Sequence, residues 1–199
     1  MKTFPFIRAV FFSCILVCST LASAASSPVV MLQNVSDQLL SALSQMENRN
    51  DQALYGLVKR VLLPHVDLNG MSELVVGKYW AGAPAAQHAQ FEEEFTHFIT
   101  RTYSNALASY QNEKVRFFPI RGGVSSNRVQ VNSAIDQRGG QSVAVSYRLV
   151  VSGGQWKVYD FSVEGVSIVE NYRSQFADVL RTDGLAGLIQ RLRQQNRGR

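Results

Sequence analysis

Glycine pairs at 122–123, 139–140 and 153–154 separate segments dominated by β-branched and aromatic residues, and this spacing constrains the fold more than any other feature. A strand that ends in a short Gly-containing connection turns back on its neighbour, so consecutive segments pair antiparallel. The pattern predicts strands at 114–120, 127–135, 142–151 and 155–163, a four-stranded meander. In the third of these, Val143, Val145, Tyr147, Leu149 and Val151 alternate with Ala144, Ser146, Arg148 and Val150. Successive side chains point to opposite faces of a sheet, so one face is apolar throughout and the other mixed.

Elsewhere the period is helical. Val35, Leu39, Leu40, Leu43 and Met46 repeat at helical spacing. Asp51 stands as an N-cap for a helix whose Leu54, Val58, Val61 and Leu62 share a face until Pro64 stops it. A short helix through Met71, Leu74 and Val75 ends at Gly77. Pro84 opens a long helix to about Tyr110, with Phe91, Phe95, Phe98, Thr102, Ala106 and Tyr110 on one stripe and Ile99, Tyr103 and Leu107 widening it. After Gly165, helical spacing resumes through Ile168, Val169, Tyr172, Phe176 and Leu180, and a last short helix runs through Leu185, Leu188, Ile189 and Leu192. Helices first and sheet second predict an α+β fold, a helical N-terminal half plus a twisted four-stranded antiparallel sheet wrapped by helices. One domain over 25–199 is expected, with 25–110 as a helical part of it.

The N-terminus reads as an address. Lys2 and Arg8 flank an uncharged run from Ala9 to Leu21, and Ala22-Ser23-Ala24 follows. This is the pattern of an export signal over residues 1–24, with cleavage expected after Ala24. The run is too short for a spanning helix, which needs about 20 apolar residues. Acylation at Cys18 is disfavoured because Val17 stands where a lipobox requires Gly, Ala or Ser. Cleavage removes both cysteines, Cys14 and Cys18, and with them disulfide, thiol and thiolate-metal chemistry. It also changes the meaning of the formal charge of +5. Residues 25–180 carry 13 basic and 14 acidic groups, whereas five arginines face Asp183 alone from Arg181 to Arg199. The body is near neutral and the tail basic. Export argues against nucleic acid as the tail's partner, leaving a frayed amphipathic end or a contact with anionic headgroups or acidic partners.

Catalytic and metal-binding patterns are scarce. His88 and His97 are nine residues apart on one helix, too far to share a metal, and read as solvated. Glu92, Glu93 and Glu94 diverge by about 100° each around a helix and read as a solvated face. His65 and Asp67 could form a base with an orienting carboxylate, or shape a turn after Pro64 with Asp67 as a helix cap. No G-x-S-x-G, Walker or dinucleotide-binding fingerprint occurs.

Longer motifs carry a resemblance. Gly154-Gln155-Trp156-Lys157-Val158-Tyr159-Asp160-Phe161 followed by Val163-Glu164-Gly165-Val166-Ser167, and upstream Leu62-Leu63-Pro64-His65-Val66-Asp67 with Gly77-Lys78-Tyr79-Trp80, resemble signatures of the MlaC (toluene-tolerance) family. Phe91-x3-Phe95, Thr102-Tyr103, Ala106-Leu107, Asn171-Tyr172-Arg173-x-Gln175-Phe176 and Gly184-x2-Gly187-Leu188 are similar to it as well, in the expected order. The resemblance implies a periplasmic carrier of glycerophospholipid in Gram-negative bacteria, maintaining outer-membrane lipid asymmetry. Its implied partners are an inner-membrane ABC transporter complex with an MCE-domain subunit and an outer-membrane lipoprotein–porin complex. It also implies a non-enzymatic protein with a deep apolar cavity, and no cofactor beyond bound phospholipid as cargo.

Such a task has a physical requirement. Two acyl chains hold on the order of 30 methylenes, each worth about 0.8 kcal/mol on leaving water, so the tails need an enclosed apolar surface. Phe98, Tyr103 and Leu107 of the wide helix stripe, Val145, Tyr147 and Leu149 of the strand face, and Val166 and Val169 after Gly165 are the candidate walls. Core packing is the alternative for each, since core and pocket residues look identical in sequence; Trp156 and Phe161 read as core. Gly165 reads as the turn from strand into helix and Glu164 as a cap for that helix. The competing functional classes are an enzyme using His65 and Asp67 at the cavity mouth, and an adaptor with a filled core.

Overall fold

The computed structural model describes residues 27–110, 113–137 and 139–198; the expected export signal lies outside them. Five strands, β1 (Lys114–Phe117), β2 (Arg128–Asp136), β3 (Ser142–Ser152), β4 (Gln155–Val163) and β5 (Val166–Ser167), form one antiparallel sheet in chain order. The meander follows the glycine spacing, and the expected four strands become five. The addition arises at Glu164 and Gly165, whose φ values of 50° and 80° make a tight hairpin turn. That turn folds Val166 back onto Val163 and Ser167 onto Ser162 before any helix begins. At the other edge, β1 stops at Phe117, with one further bond from the Phe118 N–H to the Asn132 carbonyl at 2.9 Å, because Pro119 has no N–H to donate.

A bulge decides which side chains of β4 share a face. Tyr147 is opposite Phe161 and Leu149 is opposite Val158, with a register shift between Arg148 and Leu149. Tyr159 is therefore the extra residue, and strict alternation is broken there. Trp156, Val158, Phe161 and Val163 consequently all lie on the face of Tyr147 and Leu149.

The helices are α1 (Pro28–Gln45), α2 (Asp51–Val61), α3 (Leu68–Val76), α4 (Ala85–Thr102), α5 (Ser104–Ala108) and α6 (Ile168–Arg197). Their ends differ from expectation where a neighbouring side chain makes the better cap. Asn50, not Asp51, caps α2, its Oδ1 accepting the Ala53 N–H at 2.9 Å. Asp67 caps α3 through the Gly70 N–H at 3.2 Å, as expected. Ser167, not Glu164, caps α6, accepting the Glu170 N–H at 3.1 Å, while Glu164 reaches back to accept the Ala144 N–H. Helix α2 ends before Pro64, which sits in a 3₁₀ turn. The expected long helix to Tyr110 breaks at Tyr103 (φ −102°, ψ 7°) and restarts as α5. The two expected C-terminal helices are both present within the span of α6 and meet at Gly184, whose φ of 65° and ψ of −168° are not helical and would be resisted by a side chain. Leu74, expected on the inner face of α3, is exposed.

The buried apolar residues described form three clusters. One joins α3, α4 and α6 through Met71, Val75, Phe91, Phe95, Tyr172, Phe176 and Leu188. The second seats Met31, Leu32 and Val35 of α1 on Val131, Leu149, Trp156 and Val158 of the sheet. The third gathers Leu43, Leu54 and Leu57 between α1 and α2, with Leu107 and Ala108 against it.

The basic C-terminus is not frayed. Arg193 pairs with Glu94 at 2.8 Å, the Asn196 amide donates to the Glu94 carbonyl and carboxylate at 3.0 and 2.9 Å, and Arg101 donates to the Asn196 carbonyl at 2.8 Å. Burial alone would raise the Glu94 carboxyl, but the hydrogen bonds from Arg193 and Asn196 outweigh it and hold it below its ordinary range. Glu94 is thus a helix-to-helix tie rather than part of a solvated face.

On the sheet's outer face Arg116 grips Asp136 with two bonds of 2.8 and 2.7 Å, and Ser142 adds a third of 2.8 Å. These donors, Arg116 first, lower the Asp136 pKa to about 2. A depressed carboxylate pKa stabilises the fold above the unfolded-state value and loses that contribution as pH falls through about 2. Because the pair is exposed, its share of stability is small, and the sharper test is the titration itself. Carboxyl-carbon NMR is expected to place the Asp136 midpoint near 2, and Arg116→Gln to return it toward 3.8.

Candidate functional site

The strand registers assemble one continuous apolar surface on the inner face of the sheet. Val115 and Phe117 of β1 lie opposite Ile135 and Ser133 of β2, and Val129, Val131, Ser133 and Ile135 lie opposite Leu149, Tyr147, Val145 and Val143 of β3. Phe161 and Val163 of β4 extend the rows of Tyr147 and Val145. Apart from the Tyr147 phenol, Ser133 is the one polar side chain in these rows. Its hydroxyl donates to the Val145 carbonyl at 3.2 Å, so no unpaired polar group faces the interior there.

This surface is covered unevenly. Where α1 lies across it, Val131 and Leu149 are 0% exposed. Toward the other end, Val145 and Ser133 are buried, but Ile135, Val143, Tyr147, Phe161 and Val163 around them are only half-buried, although each sits on the apolar face. A side chain on an inner face that keeps accessible surface borders space rather than packed atoms. Tyr147 shows this most clearly. Burial pushes its phenol above the ordinary value of 10, with Ser133 as its hydrogen-bonding neighbour, yet the residue remains only half-buried.

The helical side of this region comes from the break in the long helix. Tyr103, at the break, packs against the α3–α4–α6 cluster and lies edge-on to Phe161, ring centroids 6.5 Å apart. Leu107, one turn later in α5, packs against the α1–α2 cluster and is half-buried. An unbroken helix would have kept both on one straight stripe; the break lets them join different clusters.

The eight expected wall residues therefore separate into groups. Val145, buried, and Tyr147, half-buried, lie on the sheet face that Tyr103 reaches through Phe161, and Leu107 lies on the α5 side. Leu149 lies under α1, and Phe98 and Val169 belong to the helical cluster, Phe98 with its ring 5.4 Å from that of Tyr172. Val166 is 57% exposed beside the β4–β5 turn. Phe161, read from sequence as core, joins the face together with Val163, Val143 and Ile135. The signal for Phe161 and Val163 was hidden by the Tyr159 bulge, which reverses the parity of β4.

Of the pair considered for catalysis, His65 ends the 3₁₀ turn Leu63–His65, and Asp67 serves the structure. Asp67 caps α3 and donates its N–H to the Val158 carbonyl at 2.8 Å. His88 and His97, expected to be solvated, are half-buried and stack on Trp80 and Tyr55 with ring centroids 3.8 and 3.4 Å apart. Among the described residues no group of three His, Cys, Asp or Glu is placed to hold a metal ion, and no helix is long and apolar enough to cross a membrane.

An α+β fold built on an antiparallel meander agrees with the comparison to known proteins. The MlaC protein family matches residues 33–194. The chain belongs to the MlaC family. Among its relatives, the toluene tolerance protein ttg2D of Pseudomonas putida is 31% identical over 168 residues, 82% of this chain and 78% of that protein. The intermembrane phospholipid transport system binding protein MlaC of Haemophilus influenzae is 29% identical over 179 residues, 87% of this chain and 84% of that protein. A solved phospholipid-binding protein from Ralstonia solanacearum, in complex with a phospholipid, superposes with a TM-score of 0.80 at 30% identity, covering 86% of this chain and 97% of its own. The shared fold thus extends over nearly all of that neighbour.

Proposed function

We propose that this protein is an exported phospholipid carrier that holds acyl tails against the half-covered apolar face of its sheet. The observation that carries the reading is the apolar surface running from β2 to β4, sealed by α1 at one end and left half-buried at the other. A filled core would bury that end as completely as it buries Val131 and Leu149. The solved relative's bound phospholipid and the transport name of the Haemophilus influenzae relative supply the chemical class of the ligand.

The walls in this proposal are Tyr103, Leu107, Val145 and Tyr147, joined by Phe161 and Val163. Phe98, Leu149 and Val169 back these walls from the sealed clusters, and Val166 stands at the rim. Removing about 30 methylenes from water at about 0.8 kcal/mol each drives loading, and the same magnitude makes release unfavourable without a receiving apolar surface. The protein therefore shuttles between partners that offer one. By family these are an inner-membrane ABC transporter complex with an MCE-domain subunit and an outer-membrane lipoprotein–porin complex, and the process served is outer-membrane lipid asymmetry. The export pattern ending at Ala24 supports a periplasmic location between them. Gripping tails requires no bond to be made or broken, so the reading asks nothing of His65 or Asp67.

Native mass spectrometry of protein purified from a Gram-negative periplasm tests this. A co-purifying species of about 700 Da, the mass of a two-tailed phospholipid and released by organic solvent, is the expected result. Protein that is folded and free of lipid under those conditions would sink the reading.

A further inference from the structure

The loop joining β1 to β2 carries a surface that the carrier reading does not use. From Lys114 to Ile135 the chain holds four cations, Lys114, Arg116, Arg121 and Arg128, and no acidic residue. Within it Phe118 and Val124 are 41% and 50% exposed, two of the large apolar side chains that the fold leaves in water. Phe118, Pro119, Ile120 and Arg121 border an open depression beside the outward-facing Gln130 and Asn132 of β2. Arg116 is neutralised by Asp136 and lies over the Phe118 ring at 5.9 Å, and Arg128 lies over Tyr159 at 5.2 Å. Arg121 forms no ion pair among the described residues and sits between the two exposed apolar side chains. Gly122 and Gly123, at φ 77° and 75°, bend the chain between Arg121 and Val124.

We propose that this loop docks on the surface of an anionic phospholipid bilayer. Phe118 and Val124 enter the headgroup–acyl boundary, and Arg121 meets lipid phosphate. Apolar side chains alone would fit any greasy partner; their enclosure in a stretch of basic residues without an acid is what matches a negatively charged lipid surface. The loop is also continuous with the apolar interior. Phe117, next to Phe118, lies against Tyr147 with ring centroids 5.9 Å apart, and Ile120 packs on the cluster beneath α1. The purpose of such docking rests on the carrier reading, but its test does not.

The mature protein is sedimented with sucrose-loaded vesicles containing phosphatidylglycerol, and in parallel with vesicles of phosphatidylcholine alone. Binding to the anionic vesicles alone is expected, with loss at about 0.5 M salt as screening shortens the reach of Arg121. Arg121→Glu is expected to weaken binding about tenfold, and the double variant F118S/V124S by at least as much. Melting curves and native mass spectra of both variants, which leave the inner face untouched, report whether fold and lipid content are retained. Sedimentation of folded variants at the parent's level overturns the proposal. So does a parent protein that ignores anionic vesicles, which would leave the loop as a protein contact. A parent that binds vesicles but never carries lipid would count against the carrier reading and leave the docking surface standing.

Discussion

Val163→Glu is expected to leave the protein folded and strip it of lipid. Val163 lies on the inner face in the row Ser133–Val145–Val163 and is half-buried. Without ligand, water can solvate a carboxylate there, so the melting temperature should move by only a few degrees. With acyl chains in place that water is gone, and an unpaired charge among methylenes costs several kcal/mol, a loss of more than about a hundredfold in occupancy. Val163→Leu keeps the surface apolar and is expected to retain lipid. The measurement is native mass spectrometry alongside thermal unfolding of parent and both variants. Full occupancy in the Glu variant would remove Val163 from the wall and shift the site toward the helices.

Asp160→Ala is expected to produce the largest loss of stability among single changes outside the apolar clusters. Asp160 is 1% exposed and ties β4 to the start of α6. Its carboxylate accepts the Ser167 hydroxyl at 2.8 Å and the Val169 N–H at 3.1 Å, and Arg148 lies 3.4 Å away. Arg148 keeps access to water and lies 3.9 Å from Glu170, so it survives the loss of its partner cheaply. The two buried donors do not, and leaving them unpaired costs about 3 kcal/mol in total. For a chain of this size that lowers the melting temperature by about 6–12 °C. Asp160→Asn retains acceptor oxygens and should lie between parent and Ala. A Tm within a degree of the parent in the Ala variant would show that β4 and α6 are held by the apolar contacts alone.

Much of the fold was legible because it depends on local rules. Gly pairs enforce turns, period 2 marks strands and period 3.6 marks helices, and these placed the meander and the order of the helices. Expectations failed where two local options were close in energy. Asn50 and Asp51 can each cap a helix, and so can Glu164 and Ser167; in each case the residue whose backbone was already extended took the role. The helix break at Tyr103 carried no Pro or Gly to announce it. It arises where one segment must serve two apolar clusters facing different ways.

The site was less legible than the fold. Of the expected wall residues, Val145, Leu149 and Val169 are buried and Tyr147 is half-buried, while Phe161 and Val163, on the same sheet face, are half-buried as well. The Tyr159 bulge moves two residues of β4 to the inner face, and a bulge is a register choice made between strands rather than within one.

The amino-acid sequence by itself determined the antiparallel meander, the apolar character of one sheet face and the family. Each of these is written in residues adjacent along the chain or at a fixed period. Tertiary structure alone decided which part of the apolar face is covered. An apolar residue leaves water equally well against α1 or against an acyl chain, and its identity cannot say which. Under α1, Val131, Leu149, Trp156 and Val158 are buried, with Val129, Tyr147 and Val151 packed against them only partly buried.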